Sequence, residues 1–191
     1  MEWSAMWVPW IGTGIEHLRL QQIDKGIYID SVVVGSKHKQ PFRVWYKIYC
    51  DSEWRVQTCL LHRYGPRSRE LKFQVDSQGH WVDADNISLS ALEGCIDVDI
   101  SATPFTNTLP IRRLSLLPGQ STDILVTYIS IPELEIVPVK KRYTCLETSD
   151  NGSLYHYENL TRGFATELHV DAQGLVLDYP EVWKRSWNEF F

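Results

Sequence analysis

The chain reads as a mainly β protein, an antiparallel meander with one short helix, and three features of its 191 residues predict this. Short runs rich in Val, Ile, Thr and aromatic residues are punctuated throughout by Gly, Asn, Asp and Pro. In Leu71-Lys-Phe-Gln-Val75 and Leu168-His-Val170 apolar and polar residues alternate, as in a strand with one wet face. Nowhere do strands alternate with amphipathic helices, as a parallel sheet requires.

Taken in order, strands are expected at residues 26–34, 42–50, 55–62, 69–75, 80–84, 88–92 and 96–100. The second half adds 114–117, 122–129, 134–137, 141–146, 153–159, 164–170 and 175–178. His17, His62 and His156 lie in strand-like stretches and read as surface or core histidines. Asp76-Ser-Gln-Gly79 and Asp171-Ala-Gln-Gly174 are compact turns whose Gly supplies a positive φ. The helix is expected near residues 103–109, with Thr103 as N-cap and Pro104 in the first helical position. Phe105 to Leu109 make one or two turns before Pro110 disfavours continuation. In the C-terminal tail Trp183, Trp187 and Phe191 recur every four residues, which favours a second short helix docked by one face over an irregular tail.

The two compact turns stand 95 residues apart, and the same offset matches Ile29 with Ile124, Val44 with Val139, Cys50 with Cys145 and Arg67 with Arg162. An internal duplication, with pseudo-repeats about 16–96 and 111–191, would explain this; so would independent use of a common hairpin. Residues 97–113 would then lie at the junction of the two halves.

With 43% hydrophobic and 23% charged residues the chain is ordinary globular material, long enough to form one domain over residues 1–191. The net charge of -5 excludes a nucleic acid or an anionic membrane bound mainly by electrostatics. No apolar run reaches the ~18 residues of an integral membrane segment, and the start Met1-Glu2-Trp3 lacks a basic leader, so a cytoplasmic address is expected. Cys50, Cys59, Cys95 and Cys145 are scattered, which points to buried thiols and not to a metal site or a disulfide framework. No phosphate loop or nucleophile elbow occurs, and no cofactor is expected. The eight Trp and nine Tyr suit a broad β core more than a ligand groove.

The densest chemistry lies between Asp97 and Pro118. Asp97 and Asp99 share one strand face and form a carboxylate pair or half of a cation site or, the favoured reading, are simply solvated. Arg112 and Arg113 either clamp a carboxylate, a phosphate or a sugar, or pair with Asp97, Asp99 or Glu16. On a strand these two arginines would point to opposite faces. Thr106 and Asn107 bind a ligand or, slightly favoured, satisfy backbone around the prolines.

The run Asp97-Val-Asp-Ile-x-x-Thr103-Pro-Phe-Thr-Asn-Thr-Leu-Pro-Ile-Arg-Arg-Leu114 resembles the signature of a bacterial family of glycolipid-binding proteins. Further matches are Glu16-x-x-x-Leu20, Phe73-x-Val-Asp-x-x-Gly79-x-Trp81, the segment around Tyr143, and Val170-Asp-x-x-Gly-Leu-Val-x-Asp-Tyr-Pro180 with Arg185 beyond. Lys141-Arg142-Tyr143 departs from the pattern, where the family has Gln before the tyrosine. The resemblance implies a spiral β-roll, a long antiparallel sheet wrapped around one helix and similar in outline to bacterial lipoprotein carriers, with homodimerisation. It also implies a lipid or glycolipid ligand and a role in glycolipid metabolism or transport.

The leading functional expectation is a non-catalytic binding protein with an apolar concavity for acyl chains. Asp97, Asp99, Asn107, Arg112 and Arg113 would orient the ligand, with Glu16, Tyr179 and Arg185 behind them. One alternative is a structural or interaction protein whose polar signature only stabilises the roll. The other is a hydrolase on a lipid-linked sugar or ester, with Glu16, Asp97 or Asp99 as acid and base in one cleft.

Overall fold

The computed structural model describes residues 2–65, 68–76 and 78–190, the last three of these by their backbone alone. The sequence pattern produces fourteen strands. The first seven are β1 (Glu2–Pro9), β2 (Gly14–Ile23), β3 (Gly26–Lys37), β4 (Gln40–Cys50), β5 (Val56–Tyr64), β6 (Arg69–Val75) and β7 (Trp81–Asp83). The second seven are β8 (Cys95–Ile100), β9 (Ser121–Ile129), β10 (Ile136–Ser149), β11 (Gly152–Asn159), β12 (Phe164–Asp171), β13 (Val176–Tyr179) and β14 (Trp183–Phe190).

All fourteen belong to one sheet, in the order β7-β6-β5-β4-β3-β2-β1-β14-β13-β12-β11-β10-β9-β8. Every pairing is antiparallel except β8 with β9. A sheet this long must curl, because neighbouring strands twist against each other. Its two edges come together: the Trp81 indole N–H on β7 donates to the Cys95 carbonyl at the start of β8, 2.8 Å away.

The inward face carries the alternating buried side chains, such as Leu18 and Leu20 on β2 and Val44, Tyr46 and Ile48 on β4. Inside the curl lies the one α-helix of the described residues, α1 (Thr108–Leu114), entered through a 3-10 turn at Phe105–Asn107. Phe105 and Leu109 are fully buried among Trp7, Leu18, Ile29 and Ile48. Thr103 acts at the helix start, its Oγ1 accepting from the Phe105 N–H at 3.0 Å. The strand connections collect at two ends of the roll. The helical segment enters at the end carrying the β1–β2, β11–β12 and β13–β14 turns and leaves at the end carrying the β2–β3, β4–β5 and β12–β13 turns.

Several sequence expectations are corrected. The helical segment does not stop before Pro110 but runs from Phe105 to Leu114. Pro110 sits in the first turn of α1, where a backbone N–H has no partner to lose. Residues 114–117 therefore make no strand: Leu114 closes the helix and Ser115 caps it in the left-handed conformation, φ 46°. Arg112 and Arg113 are helical, so the strand argument about their faces does not hold. Residues 88–92 form a single bridge at Ser88 and a 3-10 turn, Ser90–Leu92. The tail is the strand β14, because the exposed edge of β1 offers seven residues of pairing that a docked helix would leave open. Phe191, the third member of its periodic set, lies outside the described residues, as do Arg67 and Ser77.

The offset of 95 carries β3 to β7 onto β9 to β13 in order. The compact turn is no special mark of this correspondence, since it occurs four times. At Asp51, Asp76, Asp83 and Asp171 the carboxylate accepts from the N–H groups two and four residues on. The residue three positions on takes a left-handed φ: Trp54 66°, Gly79 84°, Asn86 61° and Gly174 77°.

Leu109 is fully buried in the helical segment inside the roll, packed in the main apolar core. Leu109→Ala is expected to lower the unfolding free energy by roughly 3 kcal/mol in a urea titration.

Candidate functional site

Period-two alternation places three polar groups on the inward face, and facing strands together with the helical segment supply their partners. On β2, Glu16 is in phase with Leu18 and Leu20 and is wholly buried. It accepts from Ser31 at 2.7 Å, from Tyr46 at 2.6 Å and from Thr103 at 2.6 Å. Among the described residues no cation neutralises it, and burial pushes its carboxyl up to about 7 while the three hydroxyls pull the other way.

On β8, Asp97 and Asp99 share the inward face as the spacing predicts, but each is ion-paired instead of simply solvated, and only Asp99 keeps some exposed surface. Asp97 has no exposed surface and is gripped by Arg113 through Nε at 3.1 Å and Nη2 at 2.6 Å. Burial pushes its carboxyl up, and the guanidinium offsets part of that rise. Asp99 meets Lys141 of β10 at 2.5 Å and accepts from Thr106 at 3.3 Å. Their positions follow from α1, which brings Arg113 back over the strand it came from.

The Lys141–Asp99 pair forms the floor of a chamber of about 320 Å³ where the helical segment enters. Five aromatic side chains line it: Tyr128, Tyr157, Phe164, Tyr179 and Trp183. The Lys141 ammonium also lies 4.9 Å from the centre of the Tyr157 ring. Burial pushes the Tyr157 and Tyr179 phenols up, so both remain neutral hydrogen-bond donors. Thr103, Asn107, Asn159 and Arg162 add polar groups to the wall. The Asn107 amide is already engaged, donating to Pro104 O at 3.1 Å and accepting from Tyr143 at 2.8 Å. Beside the mouth, the Trp10 N–H donates to Val182 O at 3.1 Å, and the next residue, Ile11, is 84% exposed.

At the other end of the roll a groove of about 850 Å³ runs past Trp54, Arg112, Arg113 and Tyr155. Arg112 stacks on Trp54, with its guanidinium carbon 5.2 Å from the ring centre. Arg185 belongs to neither opening: it is held by Asp171 at 2.6 Å and by Val176 O at 2.8 Å, against the face of Trp7.

The eight sequence-predicted residues therefore separate into three groups. Asp99, Asn107 and Tyr179 line the chamber, and Arg112 and Arg113 border the distant groove. Glu16, Asp97 and Arg185 are tied into buried networks. Lys141 was missed, yet it is in phase with Val139, Tyr143 and Cys145, which marks an inward lysine. Tyr128, Tyr157 and Trp183 carried no local signal, because their shared cavity is assembled from three separate strands. Among the described residues no cluster of His, Cys, Asp or Glu is arranged to hold a metal ion, and all four cysteines are buried and free.

Comparison with known proteins follows the same lines. A family model described as "Putative glycolipid-binding" matches residues 4–185. The crystal structure of a DUF1089 family protein from Pseudomonas aeruginosa is similar, with a TM-score of 0.78 and 35% identity over 89% of this chain and 91% of that one. No curated protein matches.

The elevated Glu16 carboxyl has a signed consequence. Between its ordinary 4.5 and about 7 the folded state binds a proton that the unfolded state releases. Stability is thus lost as the pH rises through that window, by about 3 kcal/mol. Glu16→Gln is expected to remove this slope, so that the variant gains on the wild type between about pH 5 and about pH 8 in urea unfolding; parallel profiles would contradict the assignment.

Proposed function

Because the chain belongs to the putative glycolipid-binding family, we propose that it binds a glycolipid or a related lipid without transforming it, taking the sugar headgroup in the Lys141–Asp99 chamber. The observation that carries this reading is the lining: five aromatic rings around a buried ion pair. Aromatic faces cover the C–H surface of a sugar ring, while charged and phenolic groups meet its hydroxyls. A cavity of about 320 Å³ lies within the range of small-ligand pockets.

The expected apolar concavity takes a different form in this reading. The inside of the roll is filled by Phe105, Leu109 and the strands around them, so acyl chains are assigned to the rim. There Trp10, Ile11 and Phe164 are 47%, 84% and 41% exposed. Each methylene covered at such a surface contributes about 0.8 kcal/mol. The hydrolase alternative is disfavoured by Glu16 and Asp97, which have no exposed surface and cannot touch a substrate. The buried pairs of Asp97 and Arg185 support the structural alternative for those residues alone. In this reading the chain is a single domain, duplicated in origin, that serves glycolipid metabolism or transport.

Native mass spectrometry of protein purified from its host, followed by lipid extraction, is expected to find a co-purifying glycolipid or lipid. Octyl glucoside below its micellar concentration serves as a defined probe, read by tryptophan fluorescence. Tyr128→Ala, at the chamber wall, and Asp99→Asn should each weaken its binding about tenfold, the loss of one good polar or stacking contact. An empty protein that also ignores the probe would end this reading.

A further inference from the structure

The turn that recurs at Asp51, Asp76, Asp83 and Asp171 needs a left-handed residue at its fourth position, and three times the sequence provides what that conformation favours: Gly79, Asn86 and Gly174. The fourth time it provides Trp54, at φ 66°. A bulky side chain is an outlier there, and such strain persists where the surroundings or a function hold it. Core packing accounts for only part of the hold, because the indole is only partly buried.

What the strained turn achieves is to place the indole beneath Arg112. The arginine stem also passes close to Gly174, where a Cβ would come within 2.9 Å of the Arg112 Cδ. Two of the four turns thus meet one arginine, Trp54 at its guanidinium and Gly174 at its stem. Its neighbour Arg113 is locked onto Asp97 and Arg185 onto Asp171, yet among the described residues Arg112 has no carboxylate partner. It stands between two openings that both include Trp54: the groove of about 850 Å³ and a cleft of about 150 Å³ with Trp3, Leu20, Ile27 and Leu175 on its apolar side and Gln22, Ser52 and Gln173 on its polar side.

We propose that Trp54 and Arg112 form a second binding site, at the opposite end of the roll from the chamber, for an amphiphile with an oxyanion head. The carboxylate or phosphate ester pairs with the guanidinium fork, which stacking on Trp54 keeps planar and aimed. The apolar part enters the cleft beside Trp3 and Leu20. The site does not depend on the sugar-binding reading.

Hexyl phosphate, hexanoate and inorganic phosphate, titrated calorimetrically into the full chain, test it. At least one of the two amphiphiles is expected to bind, and to bind at least tenfold more tightly than inorganic phosphate. Arg112→Gln and Trp54→Asn should each weaken that binding at least tenfold. Arg112→Lys, which keeps the charge and loses the fork, should fall in between. Tyr128→Ala, in the chamber, should leave it unchanged. Arg112 is exposed, so its variants keep the test valid should Trp54→Asn fold poorly. The proposal is overturned if neither amphiphile binds, if inorganic phosphate binds as tightly, if Arg112→Gln binds normally, or if Tyr128→Ala abolishes binding.

Discussion

The rest of the structure depends on one constraint: a helical segment bearing polar groups has to be held inside a sheet whose inner face is otherwise apolar. Asp97 has no exposed surface and Lys141 is 2% exposed, so each is costly to bury without a partner. Both are paired, Asp97 with Arg113 and Lys141 with Asp99, while the uncharged anchor at Thr103 ties the segment to Glu16 on β2. These contacts reach strands from both halves of the sheet. The Asp97–Arg113 and Glu16–Thr103 contacts fix where the helix lies along the roll, because a slip of one turn would leave the buried Asp97 carboxylate without its cation.

That placement makes the molecule two-ended. The same ten-residue segment, Phe105 to Leu114, begins at a chamber built of aromatic rings and ends at a groove bordered by arginines. Thr103 and Asn107 at its start are occupied in holding the fold together, and they present only their remaining surface to the chamber. Arg112 at its finish is the member of the polar signature that makes no ion pair among the described residues. Structural and ligand-facing roles are thus divided along one helix, and adjacent arginines differ in role because they are 100° apart around it.

Much of the site was legible at the level of which residues matter, and little at the level of what they do. Asp97 and Asp99 were placed on one strand face by alternation, but whether that face met water or the core depended on the curl of the sheet. Arg113 could be offered Asp97 as a partner from composition alone, since both charges lie in a compact stretch; the choice between Arg112 and Arg113 required the helix. Trp54 gave no warning. Its turn is hidden in the sequence because Trp stands at the left-handed position that Gly or Asn usually marks, and the residue that departs from that rule is the informative one.

By itself the sequence determined the strand-rich architecture, the turn at Asp171 and the start of the helix near Thr103, because these rest on short-range periodicity and backbone preference. Only the tertiary structure decided that α1 continues past Pro110, that the tail pairs with β1, and that the chamber gathers Tyr128, Lys141, Tyr157 and Trp183. Those outcomes depend on contacts between residues far apart in the chain. A proline in a first helical turn loses no hydrogen bond, an open strand edge takes whatever segment can satisfy it, and a curled sheet assigns each inward side chain its neighbours.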